Sequence, residues 1–452
     1  MSRGKDSRGG AVRRPFSLAC TRSLAVLWLG CIGGAAAGQA APPLASRSAP
    51  PLPAQSALVP PVLPGTLRIA AWNVSFFRRA EGDLARELAR GEAAQPRTVA
   101  AVLQRVRPDL LLINEFDYDP TAPGLFLKNF LGVSQQGAEP LHYPHHFIAP
   151  SNTGVASGLD FDRDGKIGGG NDALGFGQFP GQYGMVVFSR LPINRSASRT
   201  FRNFLWRDLP DALLPPGWYD ANALAKLPLS SKSHWDVVIE WSAPPAPGRV
   251  AAAPRRLHFL VSHPTPPSFD GPEDRNGRRN HDEIRLWADY IEPARSRYLV
   301  DDRGRRGGLA PGASFVIAGD LNADPVDGGS VPGAIAQLLE HPRVHREAAS
   351  GKRVPRSPGS AEASLRQGAA NGSHRGDAAA DTGDFSDGGN SVGNLRVDYV
   401  LPSADLEVCR SGIYWPQSRD AEFALVNDDV SASSDHRLVW VDIAIPGGRC
   451  PD

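Results

Sequence analysis

The feature that most constrains this chain is a repeated arrangement in which short apolar runs end at, or begin just after, an acid, amide or imidazole. Asn73 follows IAAW, Glu115 follows LLIN and His263 follows FLVS. Asp320 and Asn322 sit at the end of FVIAG, Asp398 lies within LRVDYV, and Asp435 with His436 precedes the last run. Any one of these residues is a cap or a solvated strand end. Six segments with the same layout describe sheets whose ends gather polar side chains, which is how a rigid scaffold presents a site.

The apolar runs themselves predict strands at 67–74, 110–113, 185–189, 235–241, 257–262, 315–319, 397–401 and 437–445. Val99, Val102, Leu103 and Val106 recur at helical spacing until Pro108. Asn280 with Glu283 reads as a capping box opening a helix whose Ile284, Trp287 and Ile291 face inward. Many strands with intervening helices and no fixed repeat favour a sheet-on-sheet α+β domain over a solenoid.

Outside this domain the composition changes. Arg13 and Arg14, the apolar stretch 24–32 and the small residues 33–40 have the layout of an export signal at 1–40, so the chain is expected to be secreted or periplasmic. The segment RRPFSL is compatible with the twin-arginine route. The apolar part falls short of a bilayer span, so no stable membrane insertion is expected. Residues 41–66 are proline-rich and read as a linker, the domain proper spans 67–445, residues 349–394 have few large apolar side chains and read as a flexible insertion, and 446–452 form a tail. Removing 1–40 leaves 43 basic against 47 acidic residues, a formal charge of −4, so the mature chain has no global attraction to nucleic acid. Cys409 and Cys450 remain and, in an oxidising compartment, are expected to pair.

The order and wording of the polar-ended segments resemble the endonuclease/exonuclease/phosphatase superfamily, metal-dependent phosphoesterases related to pancreatic deoxyribonuclease. GDLNADP at 319–325 and SSDHRLVWVDI at 433–443 carry most of the resemblance. WN at 72–73, INEF at 113–116, YGMVVFSRLPI at 183–193 and RVDYVL at 396–401 follow the family's order. The resemblance implies a four-layer α/β sandwich, two mixed sheets face to face between helices, with the site at one end of the sheets.

It also implies roles. Glu115 becomes the principal ligand of a hard cation, Mg²⁺ or Mn²⁺, with Asn73 and Asp435 completing the shell. Asp320 and Asn322, two apart on an extended segment and so pointing the same way, orient the nucleophilic water and hold a phosphoryl oxygen. His436 is the general base, Asp398 fixes its tautomer, and His263 donates to the leaving oxygen or binds phosphate. No carboxylate near YGMVVFSR is placed to orient His263. The expected substrate is a phosphodiester, a nucleic acid among the options, with a phosphomonoester or a non-catalytic binding module as rivals, and the chain is expected to act as a monomer.

Three further segments stand apart from these motifs. In DFDRDGKIGGGND, Asp160, Asp162 and Asp164 alternate and Gly165 follows, as in the first half of a calcium loop. Lys166 belongs to the same candidate loop, and Asn171 or Asp172 would have to substitute for the missing closing glutamate. The rival is a solvated acidic turn. In HPTPPSFDGPEDRNGRRNH, Arg275, Arg278, Arg279 and His281 either contact substrate phosphate or belong to a solvated loop before a helix. The aromatics of 201–219 either form a rim or pin a loop to the core.

Overall fold

The computed structural model describes residues 52–241, 254–386, 388, 391–427, 429–445 and 448–451. The expected signal 1–40 lies outside them. Among the described residues thirteen strands form: β1 Thr66–Phe76, β2 Leu110–Phe116, β3 His145–Phe147, β4 Met185–Ser189, β5 Arg199–Thr200, β6 His234–Trp241 and β7 Arg255–Ser262. They continue with β8 Phe315–Asp320, β9 Gly383–Asp384, β10 Asn394–Leu395, β11 Asp398–Pro402, β12 Val408–Tyr414 and β13 Leu438–Ala444. One sheet runs β12-β13-β1-β2-β4-β3 and the second β11-β8-β7-β6-β5, with β9 and β10 as a separate ribbon. Both sheets are mixed: β1 is parallel to β2 and antiparallel to β13, and β8 is parallel to β7 and antiparallel to β11.

Strand periodicity explains the layering. Val316 and Ala318 of β8 and Val400 of β11 join the core between the sheets. Their neighbours Phe315, Ile317, Tyr399 and Leu401 turn the other way, to a second core with Ile284, Trp287 and Ile291. Both faces of the second sheet are therefore apolar, and helix Arg275–Tyr290 covers the outer one. On the first sheet, helix Ala94–Val106 contributes Val99, Val102, Leu103 and Val106 to the inter-sheet core cluster. Its end is set by Arg107 in the left-handed region, whose N–H donates to Leu103 O at 2.8 Å before Pro108. The expected α+β sandwich of two mixed sheets with helices is the observed fold.

Three expectations need correction. The helix of residues 275–290 starts five residues before Asn280, because Asp270 Oδ2 accepts from Asn276 N at 2.6 Å and caps the first turn from a distance. Asn280 and Glu283 are interior and buried, and form no capping box. Residues 349–394 are not a structureless insertion among the described residues: they hold helix Pro358–Gln367, short turns and the β9–β10 ribbon. Polar bonds order this stretch where apolar burial is sparse, as when Ser360 Oγ donates to Ala378 O at 2.6 Å and Asp381 O at 3.0 Å. The described part of the proline-rich 41–66 segment also packs on the domain, with Val59 buried and Pro60 O accepting from Arg68 at 2.9 Å. Cys409 and Cys450 are bonded as expected, Cα atoms 5.3 Å apart, tying the tail to β12. Among the described residues no helix is long and apolar enough to cross a membrane.

Candidate active site

The polar strand ends converge where the two sheets meet. Register places Asp398 opposite Asp320 across β11–β8, and Asn73 beside Asn114 across β1–β2. Asn114 stitches the sheets together at this edge: its Oδ1 accepts from Asp320 N at 3.1 Å and its Nδ2 donates to Ser262 O at 3.3 Å. The close approach needs Gly319, at φ 151°, where a Cβ would lie 2.1 Å from Ser262 O.

Asp320 is the hub. Its Oδ2 accepts from Asn73 Nδ2 at 3.1 Å and lies 3.3 Å from His263 Nε2 and 3.7 Å from His436 Nε2. Behind His436, Nδ1 meets Asp398 Oδ2 at 2.8 Å, and Asp398 N donates to Thr382 Oγ1 at 2.9 Å. The ring of Phe385 stands edge-on to His436 at 5.3 Å. The His436 backbone is pinned as well, its N–H on Ser434 Oγ at 3.0 Å and its carbonyl accepting from Trp72 Nε1 at 2.9 Å. Asp320, Asp398 and His436 are all buried.

The environment splits the two imidazoles. Burial would lower the proton affinity of His436, but the charges of Asp398 and Asp320 and the bond to Asp398 hold it well above the usual histidine range. His263 has the opposite fate: burial and the nearby Lys232 ammonium push it down to about 4. Its Nδ1 is buried with no hydrogen-bond partner, in keeping with the absence of an orienting carboxylate in the sequence. Asp320 is ionised below the ordinary carboxylate range, since burial is outweighed by the His436 charge and by bonds from His263 and Asn73.

Glu115, at φ 58°, and Ser75, at φ 52°, both adopt left-handed backbone on adjacent strands. Ser75 Oγ donates to Asp435 Oδ1 at 3.0 Å. The Glu115 carboxyl is pushed up to about 7 by burial and then by the charge of Asp435, against the relief offered by His436, Asn73 and Lys232. Two recessed carboxylates, one of them raised by the charge of the other, with an amide alongside, are a donor set suited to a hard divalent cation. Glu115, Asp435 and Asn73 would hold it.

Asn322 departs from expectation. It sits just past β8 at φ 52°, its N–H on Asp320 Oδ1 at 2.9 Å and its Nδ2 on Pro264 O at 3.1 Å, so the two side chains do not share one face of an extended segment. The turn places Asn322 against the residue after His263.

The basic segment dissolves as a group. Arg279 is buried and donates to Leu229 O at 2.9 Å, Leu174 O at 2.7 Å and Pro228 O at 2.8 Å; it is a loop-pinning residue with no exposed face for phosphate. Arg275 pairs with Glu273 and lies over Trp218. His281 Nδ1 meets Asp282 Oδ1 at 3.0 Å, and the Arg278 side chain is half-buried. In the 201–219 stretch Phe201, Phe204 and Trp206 are buried, the loop-pinning alternative.

In the acidic loop, Asp160, Asp162 and Asp172 each offer a ligand atom within 4.8 Å of the others. Asp164 is outside this trio, its Oδ1 accepting from Lys166 N at 2.8 Å, and Asp172 closes the loop through Phe161 N at 2.6 Å and Gly168 N at 2.8 Å. Sequence reading missed Lys232, Asn114 and Thr382. Asn114 stood in INEF beside the chosen glutamate, whereas Lys232 in SSKSHW had only the signal of a lone cation entering an apolar strand.

The chain was compared with known proteins on this footing. No curated protein matches it. Solved structures similar to it include an endonuclease/exonuclease/phosphatase from Beutenbergia cavernae, at 18% identity and TM-score 0.42, covering 84% of this chain and 72% of that one. Others are truncated TDP2 from Caenorhabditis elegans, at 13% identity and TM-score 0.40 over 84% and 98% of the two chains. Sphingomyelinase C from Streptomyces griseocarneus follows at 14% identity and TM-score 0.38 over 83% and 99%. The Endonuclease/Exonuclease/phosphatase family profile matches residues 70–436, from the start of the apolar core of β1 to His436 itself. The chain therefore belongs to the endonuclease/exonuclease/phosphatase family of phosphoester hydrolases.

Proposed function

We propose that this protein is an exported, divalent-metal-dependent phosphodiesterase. The observation that carries the reading is the convergence of two imidazole nitrogens on one oxygen of Asp320, with Asp398 behind His436. Two proton-transfer groups of opposite tendency about one point suit an in-line attack by water and departure of an alkoxide. Mg²⁺ or Mn²⁺ held by Glu115, Asp435 and Asn73 would neutralise charge on the phosphoryl oxygens. His436 takes the proton of the attacking water, Asp398 holds its tautomer, Asp320 and Asn322 position the water and a phosphoryl oxygen, and His263 serves the leaving oxygen.

Two observations favour a diester over a monoester. Two of the segment's three arginines are unavailable as a clamp for a second negative charge, since Arg279 is spent on carbonyls and Arg275 on Glu273. A cleft of about 600 Å³ lined by Phe77, Arg79, Gln95 and Tyr183 adjoins the metal-side residues and gives room for an organic substituent; Gln95 Nε2 reaches Ser75 O at 3.3 Å and Ser433 O at 2.8 Å. Export is supported by the 1–40 sequence, and a structural Ca²⁺ by the Asp160, Asp162 and Asp172 trio.

A second reading reverses the two histidines. The raised proton affinity of His436 suits an acid, and the neutral His263 a base. Leaving-group dependence separates them. His436→Ala and His263→Ala are assayed with Mg²⁺ on bis-p-nitrophenyl phosphate and on a dialkyl phosphate. The variant whose loss shrinks with the good leaving group lacks the acid, and under the first reading that is His263→Ala. If neither wild type nor variants hydrolyse either diester while monoesters are turned over, the phosphodiesterase reading fails.

A further inference from the structure

Among the described residues, six Lys or Arg side chains are fully buried: Arg68, Arg105, Lys232, Arg279, Arg396 and Arg437. Five have evident partners. Arg68 is held by Asp442, Arg437 by Asp384, Arg105 by Ala101 O, Arg396 by Ala349 O and Arg279 by three carbonyls. The sixth, Lys232, is 7% exposed, and its ammonium makes no hydrogen bond or ion pair with any described residue. A largely buried cation with no protein partner is costly, and proteins keep such groups where a ligand's charge meets them.

The segment that carries Lys232 is fixed from all sides. Its own carbonyl accepts from Asn152 N at 2.9 Å. Glu283 Oε1 accepts from Ser231 N at 2.6 Å and Ser231 Oγ at 3.0 Å, and the His234 ring is held between Ser230 Oγ at 2.6 Å and Glu283 O at 2.9 Å. The other oxygen of Glu283 accepts from Thr265 N at 2.6 Å, two residues after His263. One buried carboxylate thus sets the chain on either side of the catalytic imidazole, and its oxygens are occupied by these three donors. Asp320 is likewise engaged by Asn73, His263 and Asn322 N. Register places Lys232 beside His263: His234 pairs with Ser262 across β6–β7, so Lys232, two residues earlier, runs alongside the segment just past Ser262, and its charge acts on both Glu115 and His263.

We propose that Lys232 is a further catalytic residue, whose ammonium binds a non-bridging oxygen of the substrate phosphoryl group beside His263. The proposal rests on the phosphoesterase reading of the site and supplies its missing cation. One ammonium complements the single negative charge of a phosphodiester, and its rigid placement on an anchored backbone removes much of the ordering cost that a surface lysine would meet.

The test is inorganic phosphate binding by calorimetry, with Mg²⁺ and with chelator, for wild type, Lys232→Met, Lys232→Gln and Lys232→Arg, alongside turnover of bis-p-nitrophenyl phosphate and thermal melts. The expected result is a roughly 10- to 100-fold loss of phosphate affinity in Lys232→Met and Lys232→Gln, partial recovery in Lys232→Arg, and a melting temperature that does not fall, because no native ion pair is lost. Unchanged phosphate affinity in the Met and Gln variants overturns the proposal. So does a lowered melting temperature restored by Lys232→Arg with no change in phosphate binding, which would mark a structural counter-ion. Failure of wild type to bind phosphate also overturns it. If phosphate binds through Lys232 but no phosphoester is hydrolysed, the functional reading fails and the anion site stands.

Discussion

The two ends of the same strands are built on opposite principles. At the far end of β1 and β13, Arg68 and Asp442 are both fully buried and form a bidentate pair at 2.7 and 2.8 Å. Arg68 also donates to Val106 O at 2.8 Å and lies over the Trp440 ring at 4.3 Å, while its N–H reaches Asp109 Oδ2 at 2.9 Å. Every charge there has an answer inside the fold. At the other end, five to seven residues along, Glu115 faces Asp435, Lys232 has no partner among the described residues, and His263 Nδ1 and Asp398 Oδ1 are buried without one. Saturated charge marks the end that ties β1 to β13 and to helix Ala94–Val106, and unsaturated charge marks the end where the proposed active site lies.

The largest effects should separate these ends cleanly. His436→Ala, Asp320→Ala or Asn322→Ala should lower kcat/KM by roughly 10²- to 10⁴-fold, with little change in the denaturation midpoint. A variant whose lost activity tracks lost stability would make the active end structural after all.

Asp442→Ala should do the reverse. Leaving Arg68 buried and uncompensated should cost about 3–5 kcal/mol in urea unfolding, while the folded fraction keeps its turnover. Retained stability would break the contrast from the other side.

Acid–base linkage sharpens it further. With its carboxyl raised from 4.5 to about 7 in the fold, Glu115 binds a proton more tightly in the native than in the unfolded chain. Its contribution is present at low pH and is lost as pH rises between these values, so chelator-treated protein should lose up to about 3 kcal/mol from this group alone. Divalent metal should offset the loss, and Glu115→Gln should flatten the apo curve. Equal slopes in wild type and Glu115→Gln would show that the carboxyl is not strained by its neighbours.

The smallest effect belongs to the acidic loop, where backbone N–H groups already occupy several carboxylate oxygens. Calcium should raise the melting temperature by an amount equivalent to about 1–3 kcal/mol, lost in Asp160→Ala with Asp172→Ala. A shift that survives in the double variant would leave a hydrogen-bonded turn.

How legible the site was depended on how far each interaction reached. Asn73, Glu115, His263, Asp320, Asp398 and His436 could be read because each terminates a local apolar run, and local runs state both the strand and its end. Lys232 could not, because its meaning lies in Glu283, 51 residues away, which holds the backbone around it. Arg279 looked like a phosphate ligand until three carbonyls from two distant loops closed on it. The helix at 275–290 begins early because Asp270 caps it from outside its own first turn, and the 349–394 stretch is ordered by hydroxyl-to-carbonyl bonds that leave no mark in apolar content.

By itself, then, the amino-acid sequence determined eight of the thirteen described strands, the sandwich, the family and most of the polar residues at the sheet ends, because alternation and chain order are local properties that any packing must respect. Only the tertiary structure decided which charges are answered. Pairing depends on what a folded neighbour brings to within 3 or 4 Å, roughly the reach of one hydrogen bond or ion pair, and neighbours such as Arg68 and Asp442 or Asp398 and His436 are far apart along the chain.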